Sequence, residues 1–220
     1  VFRFDVACFN FGSGLFPHRQ VVTRYKNKPV PQLVQVFFRA YIRSMAWIEV
    51  ALLRLFRVPI FIFYHGDDAR QGDYCRKHFR ISFANRVGED YYTSAKDSAT
   101  RKSISFYARH ATKIYALNPD LLNVLPASAE FMPYSHIDLQ VWRPNIQEEE
   151  VRTGILRVGH APSNRAVKGT DLVLAAVDQL KQNGFEIELV LIEGVTNVEA
   201  KSLYGRVDVL VDQLFAGWYG

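Results

Sequence analysis

The chain is short of the residues that most often declare a chemistry. It has two cysteines in 220 residues, Cys8 and Cys75. Their spacing matches no zinc, haem or redox motif, so reduced thiols in a cytoplasmic setting are expected. No G-x-x-x-x-G-K-[ST] occurs, which excludes a P-loop, and no G-x-G-x-x-G opens a helix, which argues against a nicotinamide cofactor. No nucleic-acid motif or tight run of cations is present. The most apolar stretch, "MAWIEVALLRLFRVPIFIF", is interrupted by Glu49, Arg54, Arg57 and Pro59, and so does not read as a transmembrane helix. No repeat or low-complexity segment is present.

What is there describes a globular protein: 49% hydrophobic, 14% aromatic and 22% charged residues. The net charge of +5 is unevenly spread. Residues 1–110 carry 18 Lys+Arg against 8 Asp+Glu, and the rest carry 9 against 14. Such a split suggests two units with different partners. The basic part could face an anionic lipid surface or an acidic acceptor, or form an ordinary solvated face. The start at Val1 and the end at Gly220, inside an unfinished strand–loop pattern, are expected of a piece of a longer parent.

The pattern of elements is α/β. A strand is expected at "FRFDVACFNF", ended by Gly12-Ser13-Gly14. A long helix is expected between Pro31 and Arg57, with Val36, Phe37, Tyr41, Met45, Ile48, Leu52, Leu55 and Phe56 near one face. That face is expected to meet the core, with peripheral contact to an anionic bilayer as the alternative. "VPIFIFY" reads as a buried strand, and at its carboxyl end come His65, Gly66, Asp67, Asp68 and Arg70. Ligands of open α/β sheets bind at such edges. A polar helix over 94–110, a strand "KIYAL", a helix start at "NPDLLNVL" and a strand "AEFMPY" follow. The acidic stretch 143–154 is the expected linker between domains 1–142 and 155–220. Beyond it come strand 155–160, helix 170–182, strand 186–193, helix 198–205 and strand 207–212, the beginning of a doubly wound parallel sheet.

"RVGHAPSNRAVKGTDLVLAA" places His160, Asn164, Arg165 and Lys168 between the first of these strands and its helix. Gly159 ends the strand, and Thr170 or Asp171 is expected to cap the helix. Cations beside free N–H groups at a helix start suit a phosphate, although they could be plain exposed loop cations. Glu193 ends the next strand, where a ribose-binding carboxylate often lies, yet it is 34 residues past Gly159 where about 20 is usual.

These segments resemble a known family. "HAPSNRAVKGTDLVLAAV" with "ELVLIEGVTNVEAKSLYGRVDVLVDQLFAGWYG" is similar to the donor-side domain of GT-B glycosyltransferases, of the retaining, family 4-like group. "FYHGDDAR" resembles the H-G-x-D-x-R loop of their acceptor-side domain, and "LNPDLLNVLP…AEFMPYSHIDLQVWRP" the segment that leads to the interdomain linker. The resemblance implies two Rossmann-like domains, both incomplete here. The family's E-x7-E pattern would follow Gly220, so activity is expected of the parent and not of this chain alone. It implies transfer of a sugar from a nucleotide-sugar donor to a glycan, polysaccharide or lipid-linked acceptor, without a metal or other cofactor. Arg165 and Lys168 would hold the donor diphosphate, with Gly159, His160, Asn164 and Glu193 around the nucleotide. His65 and Asp68 would be the catalytic residues beside the sugar and acceptor. Two other functions stay open: a non-catalytic protein of the same fold that binds an anionic glycan or a membrane surface, and a nucleotide-sugar epimerase.

Overall fold

In the computed structural model, residues 4–16, 24–25, 28–133, 138–142 and 154–215 are described, with 24–25 and 28–29 as backbone only. The chain divides into two units. One comprises 1–78 and 89–134; the other comprises 79–88 and 135–220. The expected linker lies, except for Gly154, outside the described residues. Segment 79–88 was not expected to leave its sequence neighbours, but its contacts are with the second unit.

The first unit is built on a parallel sheet of β1 (Ala7–Asn10), β4 (Ile60–Tyr64), β5 (Lys113–Ala116) and β6 (Ala129–Phe131), in that spatial order. A two-stranded antiparallel ladder, β2 (Arg24–Tyr25) and β3 (Lys28–Pro29), precedes α1 (Gln32–Leu55). A short α2 (Gly72–His78) and α3 (Ser94–Ala108) follow β4. Within this sheet the strands lie side by side in the order in which they occur along the chain. Right-handed crossovers therefore carry α1 and α3 to the same face of the sheet. There Ala46 and Val50 of α1, and Ile104, Phe106 and Tyr107 of α3, pack with Ile60, Ile62, Ile114 and Ala116. The helix start expected at "NPDLLNVL" is a 3-10 turn, Pro119–Asn123, with Asn118 at its cap.

α1 corrects the sequence expectation about its inner face. The side chains buried are Ile42, Ala46 and Val50, while Phe37, Tyr41, Ile48, Leu52, Leu55 and Phe56 are exposed. The small Ala46, fully buried, allows close approach of helix to sheet, and the large residues stay outside. The same helix has apolar residues on opposite sides, so periodicity alone could not choose between them.

The second unit carries the parallel strands β7 (Leu156–His160), β8 (Ile187–Leu191) and β9 (Val209–Val211), in spatial order β8-β7-β9. Between β7 and β8 lie a single-turn α4 (Arg165–Lys168) and α5 (Thr170–Gln182); α6 (Asn197–Tyr204) connects β8 to β9. The chain leaves β7 to one side and returns across it to the other. The carboxyl end of β7 is thus a topological switch point, the place where doubly wound sheets form their crevice. α6 opens with a reciprocal cap between Thr196 and Glu199. Among the described residues no helix is long and apolar enough to cross a membrane.

Candidate functional site

In the first unit the loop that carries the expected site residues begins where β4 ends. Asp68 is buried, and its carboxylate accepts from the backbone N–H of His65 (3.0 and 3.1 Å) and of Gly66 (2.6 Å). This carboxylate is spent on folding the loop. The resemblance places it beside sugar or acceptor; the structure gives it the work of a clamp. The His65 ring stacks on Phe11 with centroids 4.3 Å apart, and the His65 carbonyl accepts from Asn118 Nδ2 at 2.5 Å. Loop and ring are thereby fixed from β1 on one side and from the end of β5 on the other.

The exposed carboxylate of this edge is Asp67, which sequence reading did not single out as a site residue. It accepts from Tyr91 Oη at 2.5 Å and Tyr92 Oη at 2.6 Å. Burial, then the hydrogen bond and charge of Asp67, push the Tyr91 phenol up to about 12. Burial and the Asp67 charge raise Tyr92 in the same direction. Both phenols therefore remain donors at neutral pH. Arg70 binds Asp120 through Nε at 2.7 Å and a second nitrogen at 3.3 Å, and it lies 3.8 Å from Asp67. Burial alone would lower the Arg70 pKa, but the bonds and charges of Asp120 and Asp67 outweigh it and raise it. Beneath the loop, buried Asp97 accepts from the N–H groups of Gly72 and Asp73, both at 2.9 Å. Gly72 is needed there: a Cβ would meet the Tyr92 Cβ at 2.3 Å. The sum is a loop pinned on several sides that presents the Asp67 carboxylate, a group able to accept from hydroxyls, while His65 Nε2 is buried.

The second unit places its site residues around the switch point. Asn164 caps α4, its side chain accepting from Ala166 N–H at 3.1 Å and Val167 N–H at 3.2 Å. Thr170 and Asp171 are not the cap. Gly169, with φ 76°, breaks the run into two helices, and the Thr170 hydroxyl goes to His160 instead. His160 is completely buried, with Nδ1 2.7 Å from the Val211 carbonyl and Nε2 2.9 Å from Thr170 Oγ1. It ties β7 to β9 and α5 from behind the edge. Gly159 is set by packing: a Cβ there would meet Val207 Cγ1 at 2.9 Å.

Arg165 and Lys168 do lie together at this edge, and each meets a carboxylate from a neighbouring strand end. Arg165 forks onto Glu193, past β8, with its closest contact at 2.5 Å. That hydrogen bond, set against slight desolvation, holds the Glu193 carboxyl below the usual range. Lys168, its side chain 10% exposed, puts Nζ 2.7 Å from Asp212 Oδ1, past β9. Beside them is a cavity of about 360 Å³ lined by Arg86, Arg165, Ala166, Thr170, Asp171, Leu174 and Phe215. The Arg86 guanidinium sits 5.0 Å over the Phe215 ring, and the Phe83 N–H donates to the Phe215 carbonyl at 3.3 Å. Segment 79–88 thus supplies a cation that sequence analysis missed, because Arg86 is 79 residues away from Arg165 in the chain.

No protein-family model matches the chain, and no curated protein sequence matches it.

Proposed function

We propose that the chain carries substrate-binding parts of a nucleotide-sugar-dependent glycosyltransferase, the second unit holding the donor diphosphate and the first the acceptor. The observation that supports this most is the position of Arg165 and Lys168 at the carboxyl end of the central strand, where β7 is flanked by strands reached in opposite directions. Cleavage of a glycosyl–phosphate bond builds negative charge on the departing phosphate oxygen. Cations fixed in advance at that point lower its cost without rearranging during the reaction. Glu193 and Asp212 hold the two cations in place, and an incoming diphosphate replaces carboxylate oxygens with phosphate oxygens on Arg165 and Lys168. In the first unit, Asp67 takes a hydroxyl of the acceptor and His65 stands beside it in the same loop, while Asp68 keeps that loop folded.

Calorimetric titration of the chain with nucleoside diphosphates and nucleotide sugars tests the reading. Binding is expected, weakened about tenfold or more by Arg165→Ala or Lys168→Ala, since a hydrogen bond to a charged group is worth about 1.5–3 kcal/mol. Failure of every nucleoside diphosphate to bind sinks it. A second reading, the non-catalytic binding protein, is favoured by Asp68, whose two oxygens are both used on loop amides. Release of free sugar from a nucleotide sugar by the protein, lost on His65→Ala, decides for the enzyme.

A further inference from the structure

The second unit holds a guanidinium that no carboxylate neutralises. Arg157, Arg165 and Lys168 each meet a carboxylate, on Glu188, Glu193 and Asp212 in turn. Arg86, of the same unit, meets none among the described residues; the Phe215 ring, 5.0 Å from its guanidinium carbon, is what holds it. Its backbone is nevertheless fixed. The Ser82 hydroxyl caps the 3-10 turn Phe83–Asn85, and the Arg86 N–H donates to the Phe83 carbonyl at 2.8 Å. Phe83 and Ala84 are buried beneath it. Arg86 is thus set at the wall of the cavity of about 360 Å³ with its donors uncommitted. α5 brings Asp171 and Leu174, one turn apart, to the same cavity. Asp171 makes no ion pair among the described residues either, so the two opposite charges share the cavity without closing on each other. Ala166, Leu174 and Phe215 supply the apolar lining, and Arg165 joins the cavity to the strand edge.

Each lining group narrows the occupant. An inorganic anion would use Arg86 and Arg165 and leave the apolar lining without a partner. An apolar molecule would cover the charges of Arg86 and Asp171 and replace none of their water, which is costly. A neutral hexose suits the apolar lining with its C–H face and Asp171 with its hydroxyls, but has no partner for Arg86. A hexose bearing a carboxylate supplies that partner, since guanidinium and carboxylate meet through two parallel N–H···O bonds. We propose that the sugar of the donor is a hexuronic acid and that Arg86 selects it. Its carboxylate lies on Arg86, a hydroxyl on Asp171, and the attached diphosphate at Arg165. The assignment deepens the donor role of the second unit and rests on it. Arg165 lines the cavity and also stands at the strand edge, so sugar and phosphate are neighbours there, as they are in a nucleotide sugar.

The experiment is isothermal titration of the full 220-residue chain with UDP-glucuronate against UDP-glucose, and with GDP-mannuronate against GDP-mannose. The members of each pair differ only in the carboxylate. In at least one pair the uronate should bind about tenfold or more tighter, as hydrogen bonds to a charged group allow. Arg86→Gln should erase that margin and leave the affinity for the neutral sugar unchanged, which also shows that the variant is folded. Arg86→Lys keeps the charge without the fork and should keep part of the margin. UDP and GDP alone separate the ways to fail. If either binds and neither uronate is preferred, or the preference survives Arg86→Gln, the uronate assignment is overturned while the glycosyltransferase reading stands. If Arg86→Gln weakens uronate, neutral sugar and nucleoside diphosphate alike, Arg86 is a phosphate ligand and the assignment is overturned. If no nucleotide binds, both fall.

Discussion

Asp212→Asn separates two roles that Lys168 fills at once. The Lys168 ammonium is nearly enclosed, and its 2.7 Å contact with Asp212 is its ion pair in the resting protein. Breaking a fully buried pair costs about 3–5 kcal/mol. Asp212 is 35% exposed on its side chain, so water screens part of that, and a loss of about 1–2 kcal/mol follows. For a unit of this size that lowers Tm by roughly 5–10 °C. Ligand affinity should move the other way. If a diphosphate displaces Asp212 from Lys168, the displaced carboxylate remains nearby and repels the phosphates. Removing its charge should then raise affinity for a nucleoside diphosphate about tenfold, or about 1.4 kcal/mol. Differential scanning calorimetry and isothermal titration on the wild type, Asp212→Asn, Lys168→Met and the double variant measure both quantities. Lower stability with tighter binding supports the displacement. Lower stability with unchanged binding shows that no ligand reaches Lys168, and binding weakened as much as by Lys168→Met shows that the pair acts as one unit.

Three other substitutions or titrations check the remaining geometry. Asp68→Ala should cost about 3 kcal/mol by leaving the His65 and Gly66 amides unpaired, with Asp68→Asn recovering part; denaturant unfolding that shows a loss below about 0.5 kcal/mol removes the clamp. His160→Ala should cost about 3 kcal/mol or more from a vacated volume and two lost partners, and the same measurement on Thr170→Val should account for part of it. Tyr91 holds its proton to about 12 when folded against 10.0 when unfolded, so its contribution to stability is fully present below pH 10 and lost as pH rises toward 12. Ultraviolet titration should show late-ionising tyrosines that Asp67→Asn moves earlier, and uniform ionisation near the ordinary value would contradict the Asp67 cluster.

The elements of the second unit were legible because each is encoded locally: helix 170–182 is α5 to the residue, and its strands fall within the expected ranges. The failures share one cause, that a sequence shows which groups are near in the chain but not which partner each one takes. Asn164, Thr170 and Asp171 are all cap-forming types within eight residues, and the choice among them was made by the left-handed Gly169 and by His160, a contact across ten residues. Asp67 and the two tyrosines are 24 and 25 residues apart, joined only when α3 is folded back against the β4 edge. Arg165 and Lys168, three residues apart, were readable as a pair. Their carboxylates were not: Glu193 is 28 residues from Arg165, and Asp212 is 44 from Lys168. Parallel crossovers put all four at strand ends of one sheet edge, since strands running the same way bring every carboxyl end to the same side. Charge placed at that edge is therefore determined by topology, while whether it serves a ligand is determined by how easily the carboxylates yield. That yield is a free-energy difference between two partners of the same cation, and no residue pattern encodes it.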